Sequence, residues 1–140
     1  MSQSMTQQAE FNEGAIAEIQ NTFLDASFTI NAETANAITV NVAVKTNRGQ
    51  AAVASRRALM CYLSDAATGA GVCATAPATS VVAGTNGKVD AIITKKVFLC
   101  TTNAAGALDI VLTETGVATW YLVVVMPDGR LVVSNAITFA

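Results

Sequence analysis

Acid–base or nucleophilic chemistry needs a group that changes charge near neutrality, and this chain has no histidine. That removes the commonest proton shuttle and the commonest neutral metal ligand. Serine and cysteine triads that depend on His are excluded with it, as are zinc sites of the Cys/His type. The three cysteines, Cys61, Cys73 and Cys100, are too widely spaced for a CxxC metal or redox pair. Cys61 and Cys100 fall in apolar stretches, where a thiol packs as a small hydrophobe, so buried free thiols are expected. A Cys61–Cys100 bridge between two sheets is the sharper alternative, and a cytosolic origin disfavours it.

The carboxylates could form a glycosidase-type pair only by meeting in space. Asp109 and Glu114 lie near the ends of one expected strand, and Asp25, Glu33 and Asp65 lie at element boundaries. Boundary carboxylates in β proteins usually serve as caps and turn formers, and that is the role expected here. Gly69-Ala70-Gly71 precedes no Lys-Ser/Thr pair and no helix, so no phosphate cradle is expected. No acidic spacing of EF-hand type occurs. Trp120-Tyr121 could stack on a sugar, but neighbours on a strand face opposite sides, so one ring is expected in the core. Arg56-Arg57 and Lys95-Lys96 read as solvated strand ends or intersubunit ion pairs. No cofactor and no metal is expected, and an enzyme is the reading with least support.

The elements that hold these residues are β-strands. Four β-branched residues, Ile38, Val40, Val42 and Val44, alternate with Thr39, Asn41, Ala43 and Lys45, the pattern of a half-buried strand. Similar alternation marks Phe28 to Ile30 and Leu108 to Thr113, and an apolar run marks Ala58 to Leu63. Residues 66–80 read as a long flexible loop of small residues. Val81-Val82 and Val89 to Ile93 flank Gly84-Thr85-Asn86-Gly87, a hairpin signal through Asn-Gly. Val97 to Cys100 form a further short strand. Apolar runs from Trp120 to Met126 and from Leu131 to Val133 flank Pro127-Asp128-Gly129-Arg130, which predicts a terminal hairpin continuing to Phe139. Eight or nine strands with a turn about every ten residues predict an antiparallel β-sandwich, Ig-like or jelly-roll.

Ahead of the strands, Ala15, Ile16, Ile19 and Phe23 recur at helical spacing after a capping Asn12. This predicts a short amphipathic helix from Asn12 to about Leu24. The chain thus divides into an arm, 1–25, and a β-sandwich domain, 26–140. The segment either packs on its own domain or, the favoured reading, reaches a neighbouring subunit, with Phe11, Ile16, Ile19 and Phe23 as the candidate partner-binding residues.

Charged residues make up 13% of the chain, against about 25% on average, and mean hydropathy is +0.46. Either other protein covers part of the surface, or an Ala- and Thr-rich β domain simply scores as apolar. The longest apolar run falls far short of the roughly 20 residues of a membrane-spanning helix. The first residues lack the basic and apolar regions of a secretory signal, so synthesis in a cytosol is expected. A net charge of −2 without a basic block argues against nucleic acid.

The segments FTINAETANAITVNVAVKTNRG, LMCYLSD and GALDIVLTETGVATWYLVVVMPDGRLVVSNAITFA resemble small Ig-like virion proteins of tailed bacteriophages. The resemblance covers about residues 26–140 and rests on strands and turns. It implies a capsid decoration or cement protein: a homo-oligomer, dimer or trimer, bound to the major capsid protein on the capsid surface. Membrane and nucleic acid are not among the expected partners. A tail or baseplate component is the alternative within the same class. A carbohydrate-binding Ig-like adhesion module is the alternative outside it.

Overall fold

The computed structural model describes residues 24–45 and 55–140. Ten strands follow one another in these segments: β1 (Asp25–Ile30), β2 (Ala37–Lys45), β3 (Ala58–Ser64), β4 (Ser80–Ala83), β5 (Lys88–Ile93), β6 (Val97–Thr101), β7 (Ala107–Thr113), β8 (Ala118–Val125), β9 (Leu131–Val133) and β10 (Ile137–Phe139). They form two antiparallel sheets, consistent with a β-sandwich. Sheet 1 has the order β1-β2-β7-β4. Sheet 2 has the order β10-β8-β3-β6-β5, with β9 also paired to β8.

Alternation in the sequence becomes alternation in burial. Ile38, Val40, Val42 and Val44 of β2 point inward, as do Leu108, Ile110 and Leu112 of β7. Sheet 2 supplies Leu59, Cys61, Leu63, Phe98, Cys100, Leu122, Val124, Ile137 and Phe139 to the same core. Trp120 packs edge-on against Phe139 at a ring-centroid distance of 5.9 Å. Leu24, just ahead of β1, is also buried in this core.

Two turns show how local chemistry sets the path. Thr34 and Ala37 exchange both backbone hydrogen bonds, with Ala35 and Asn36 between them at φ of 51° and 64°. Two left-handed central residues match the twist of the flanking strands. The terminal hairpin forms where the Pro-Asp-Gly-Arg turn predicts it, with Gly129 N–H donating to Met126 O and Met126 N–H to Arg130 O. Its second arm is broken. Val133 faces Val123 and Ile137 faces Trp120, so residues 134–136 stand opposite Tyr121 and Leu122, one extra residue in the arm. Ser134 repairs the interruption: its buried Oγ accepts from Leu122 N–H at 3.0 Å and donates to Asn135 O at 2.8 Å.

Several expectations are corrected. Gly84 to Gly87 do not close a hairpin: β4 pairs with β7 in sheet 1, and β5 pairs with β6 in sheet 2. The Asn-Gly turn carries the chain from one sheet to the other, because Asp109 of β7 grips Asn86 and fixes that turn against sheet 1. The bulge divides the last predicted strand, which brings the count to ten. The loop read as flexible is pinned at several points. Trp120 Nε1 donates to Thr75 O, Lys96 Nζ to Ala74 O, Lys95 Nζ to Ala78 O and Ala74 N–H to Asp65. The expected helix ahead of Leu24, with Phe11, Ile16, Ile19 and Phe23, lies outside the described residues.

Candidate interaction surface

The carboxylates singled out in the sequence are committed to structure. Asp109 is buried on the outward side of β7, where Asn41 Nδ2 donates to its Oδ1 at 2.7 Å. Asn86 donates to Oδ2 through both its backbone N–H and its side chain, each at 3.1 Å. The chain of polar groups extends in both directions. Asn31 Nδ2 donates to Asn41 Oδ1, and Asn103 Nδ2 donates to Asn86 Oδ1. Asn103 in turn accepts from the backbone of Ala105 and Ala107. Glu114 accepts from Gly116 N–H at 2.9 Å and Ala78 N–H at 2.8 Å, and these bonds, Gly116's first, hold its carboxyl below the ordinary glutamate range. Glu33 accepts from Ala140 N–H. Charge-assisted bonds of this kind are strong, and they leave these carboxylates serving as caps and turn anchors. No group of three or more His, Cys, Asp or Glu residues that could hold a metal occurs among the described residues.

All three cysteines are free and buried. Cys61 and Cys100 do not bridge the sheets, because both belong to sheet 2, on the paired strands β3 and β6. A thiol–thiol hydrogen bond with Cys100, together with burial, holds the Cys61 thiol well above its ordinary pKa. Burial, then the nearby Asp65 charge, raises Cys73. These shifts favour the thiol over the thiolate, the nucleophilic form, at Cys61 and Cys73. Trp120 is the core member of the aromatic pair, and Tyr121 is half-buried on the other side of β8. Arg56 is exposed and Arg57 half-buried ahead of β3, while Lys95 and Lys96 staple the loop described above.

Among the described residues, the outward side of sheet 2 carries exposed apolar side chains. A solvated sheet face normally alternates apolar residues inside with polar residues outside. Here the outward positions include Met60, Leu99, Val123, Val125, Leu131 and Val133. Part of the face is roofed by the loop after β3. Tyr62 Oη donates to Gly69 O, and Gly69 sits so close to Val123 and Val133 that an added Cβ would lie 3.2 and 3.0 Å from their methyls. With φ at +77° as well, position 69 suits glycine alone. Val123 is fully buried beneath this roof although it faces outward.

Among the described residues, no loop roofs the next row of the same face. Leu131 pairs with Val125, Val125 with Met60, and Met60 with Leu99. These four side chains lie in one register row across β9, β8, β3 and β6. Leu131, Met60 and Leu99 are 46%, 45% and 44% exposed. The row ends at Asp90 of β5, which pairs with Lys88 at 3.7 Å. Ile92 and Ile93 extend exposed apolar surface at that edge. At the other edge Arg130 pairs with Asp128 at 2.7 Å, and this contact lowers the Asp128 pKa. The result is an apolar strip with ion pairs at both ends, the anatomy of an interface with an apolar centre and a polar rim. The candidate residues Phe11, Ile16, Ile19 and Phe23 lie outside the described residues.

Comparison with known proteins finds no family model that matches the chain and no match among curated proteins.

Proposed function

We propose that the chain is a structural virion protein of a tailed bacteriophage, a decoration or cement protein that binds the major capsid protein through the outer face of sheet 2. The row Leu131–Val125–Met60–Leu99 is the observation that carries this reading. It is exposed, apolar and laid across four strands, as a surface built to be covered would be. The low charge of the chain points the same way. The protein acts by adding buried area between neighbouring shell subunits, without catalysis or cofactor. Repetition over a lattice makes modest single contacts effective. Homo-oligomers, dimers or trimers, on the capsid surface follow from the same reading.

The sandwich suits the Ig-like form of this proposal better than the jelly-roll form. The order β1-β2-β7-β4 matches the A-B-E-D sheet of an immunoglobulin domain, and β10-β8-β3-β6-β5 matches G-F-C-C′-C″. The path departs from that pattern in two respects: β4, in the D position, comes before β5 and β6, and β5, in the C″ position, comes before β6, in the C′ position.

The test is co-sedimentation of the full chain with particles lacking it, comparing wild type with the double variant Met60→Glu and Leu99→Glu. Full burial of a large apolar side chain is worth about 1.5–3 kcal/mol, and these two are about half exposed, so each has about 1 kcal/mol left to gain. Losing both weakens a single contact by about thirtyfold, before the cost of burying two carboxylates. Thermal stability should change little, because both positions already face solvent. Unchanged binding by a folded double variant would overturn the assignment of this face. Labelling at tails rather than heads in electron micrographs would replace the capsid by a tail or baseplate partner.

A further inference from the structure

The two sheets leave an open cleft along one side of the sandwich. β1 is the edge of sheet 1, and β9 and β10 together form the neighbouring edge of sheet 2. These edges are tied at both ends. At one end Arg130 Nη2 donates to Leu24 O, and at the other Ala140 N–H donates to Glu33 Oε2 at 2.9 Å. Both ties join residues 106 or 107 positions apart, so β1 and the β9–β10 arm run side by side in the same direction. Between the ties lies a cleft of about 440 Å³ lined by Phe28, Ile30, Val133, Ser134, Asn135 and Ala136. None of these residues is charged. The bulge at residues 134–136, which spends Ser134 on Leu122, forms one wall.

We propose that this cleft receives the apolar residues of segment 11–23 from a second copy of the chain. The position and composition of that segment support the assignment. Twenty-three residues precede Leu24 in the sequence, and they join the domain where Arg130 holds Leu24 O, at the mouth of the cleft. Leu24 is itself buried, which fixes the point of departure. Segment 15–23, AIAEIQNTF, carries one charge, Glu18, and three large apolar side chains, Ile16, Ile19 and Phe23. The exposed lining is more polar than apolar, but it carries no charge, and Phe28 and Ile30 give apolar side chains a surface to meet. To fill its own cleft, the segment would have to reverse immediately before Leu24. Residues 15–23 contain no glycine or proline, and Asn21 is the one good turn former among them. Delivery to a second copy needs no such reversal. Reciprocal exchange would bury the same surface on both copies, as a twofold assembly does.

Disulfide trapping in the full chain tests the proposal without any capsid, so its outcome is separate from that of the outer-face reading. Three single variants are prepared: Ile19→Cys in the segment, Asn135→Cys on the cleft and Ile92→Cys on the far edge strand β5. The native cysteines are buried and remain silent under mild oxidation. Mixing Ile19→Cys with Asn135→Cys should give an intermolecular disulfide between those two positions, identified by peptide mass. Mixing Ile19→Cys with Ile92→Cys should not. Adding Ala136→Lys to the Asn135→Cys chain, which puts a charge in the uncharged cleft, should abolish the cross-link. Absence of the expected disulfide, equal capture by position 92, or insensitivity to Ala136→Lys would overturn the proposal. So would an intramolecular disulfide in the double variant Ile19→Cys/Asn135→Cys that persists on dilution, because it would place the segment in the cleft of its own chain.

Discussion

Replacing Asp109 by Ala removes the acceptor on which three donors converge: Asn41 Nδ2, Asn86 N–H and Asn86 Nδ2. A hydrogen bond to a charged group is worth about 1.5–3 kcal/mol net. Asn41 and Asn86 are half-buried, so water recovers part of the loss, and the variant also sheds the cost of keeping a carboxylate buried. The balance is a destabilisation of about 2–4 kcal/mol. In a chain of this size that lowers Tm by about 5–15 °C. Asp109→Asn is the more discriminating variant. Its oxygen must face the fixed backbone N–H of Asn86, which turns its NH2 group toward the NH2 of Asn41. Flipping Asn41 would relieve that clash but would turn its NH2 toward Asn31 Nδ2, which already donates to both Asn41 Oδ1 and Thr39 O. The polar chain therefore has a direction that a carboxylate satisfies and an amide does not. Asp109→Asn should cost less than Ala but clearly more than a neutral surface change. Urea unfolding followed by Trp120 fluorescence measures both, and a cycle with Asn41→Ala should show coupling above about 0.5 kcal/mol. If Asp109→Ala stays within about 0.5 kcal/mol of wild type, as an ordinary surface substitution would, the network does not hold the β4–β5 turn.

Gly87→Ala should be among the most damaging single-atom additions. Gly87 has φ of +78°, and an added Cβ would lie 2.7 Å from both Leu108 Cδ1 and the Thr101 carbonyl oxygen, so a loss of about 3 kcal/mol or more is expected in the same unfolding assay. Glu114→Gln should flatten the acid limb of the stability profile. The Glu114 carboxyl is held below its ordinary range in the folded chain, so its contribution is complete above the unfolded-state value and is lost as pH falls through the lower folded-state value. Tm measured from neutral pH into the acid range should therefore fall more steeply for wild type than for the variant, and parallel curves would refute the assignment.

The strands of this sandwich are largely legible because half-burial imposes a period of two, and β2 carries it over its whole length. The terminal hairpin is legible because proline, aspartate and glycine each fit a particular position in its turn. Gly84 to Gly87 mislead for a related reason. Turn residues specify that the chain reverses, but not which sheet each arm then joins. That choice rests on Asp109, a residue 22 positions from Gly87 whose role depends on tertiary contact. Likewise the small residues of 66–80 predict looseness, whereas Trp120, Lys95, Lys96 and Asp65 pin the loop from outside it.

The apolar strip had a sequence signal of a different kind. Leu59 to Leu63 of β3 and Trp120 to Val125 of β8 do not alternate between apolar and polar; they are apolar on both faces. A strand pattern of that sort belongs to a sheet covered on both sides. The core covers one side. On the other, the Gly69 roof covers Val123 and Val133 and stops before Met60. What the linear pattern could not reveal is that Leu131, Val125, Met60 and Leu99, spread over 72 positions of chain, share one row, because only the register of three strand pairings aligns them. The unroofed row is thus the part of a two-sided pattern that the described fold leaves unmatched. That mismatch between a strand sequence suited to burial on both faces and a fold that buries one is the physical ground for seeking the second layer in another protein.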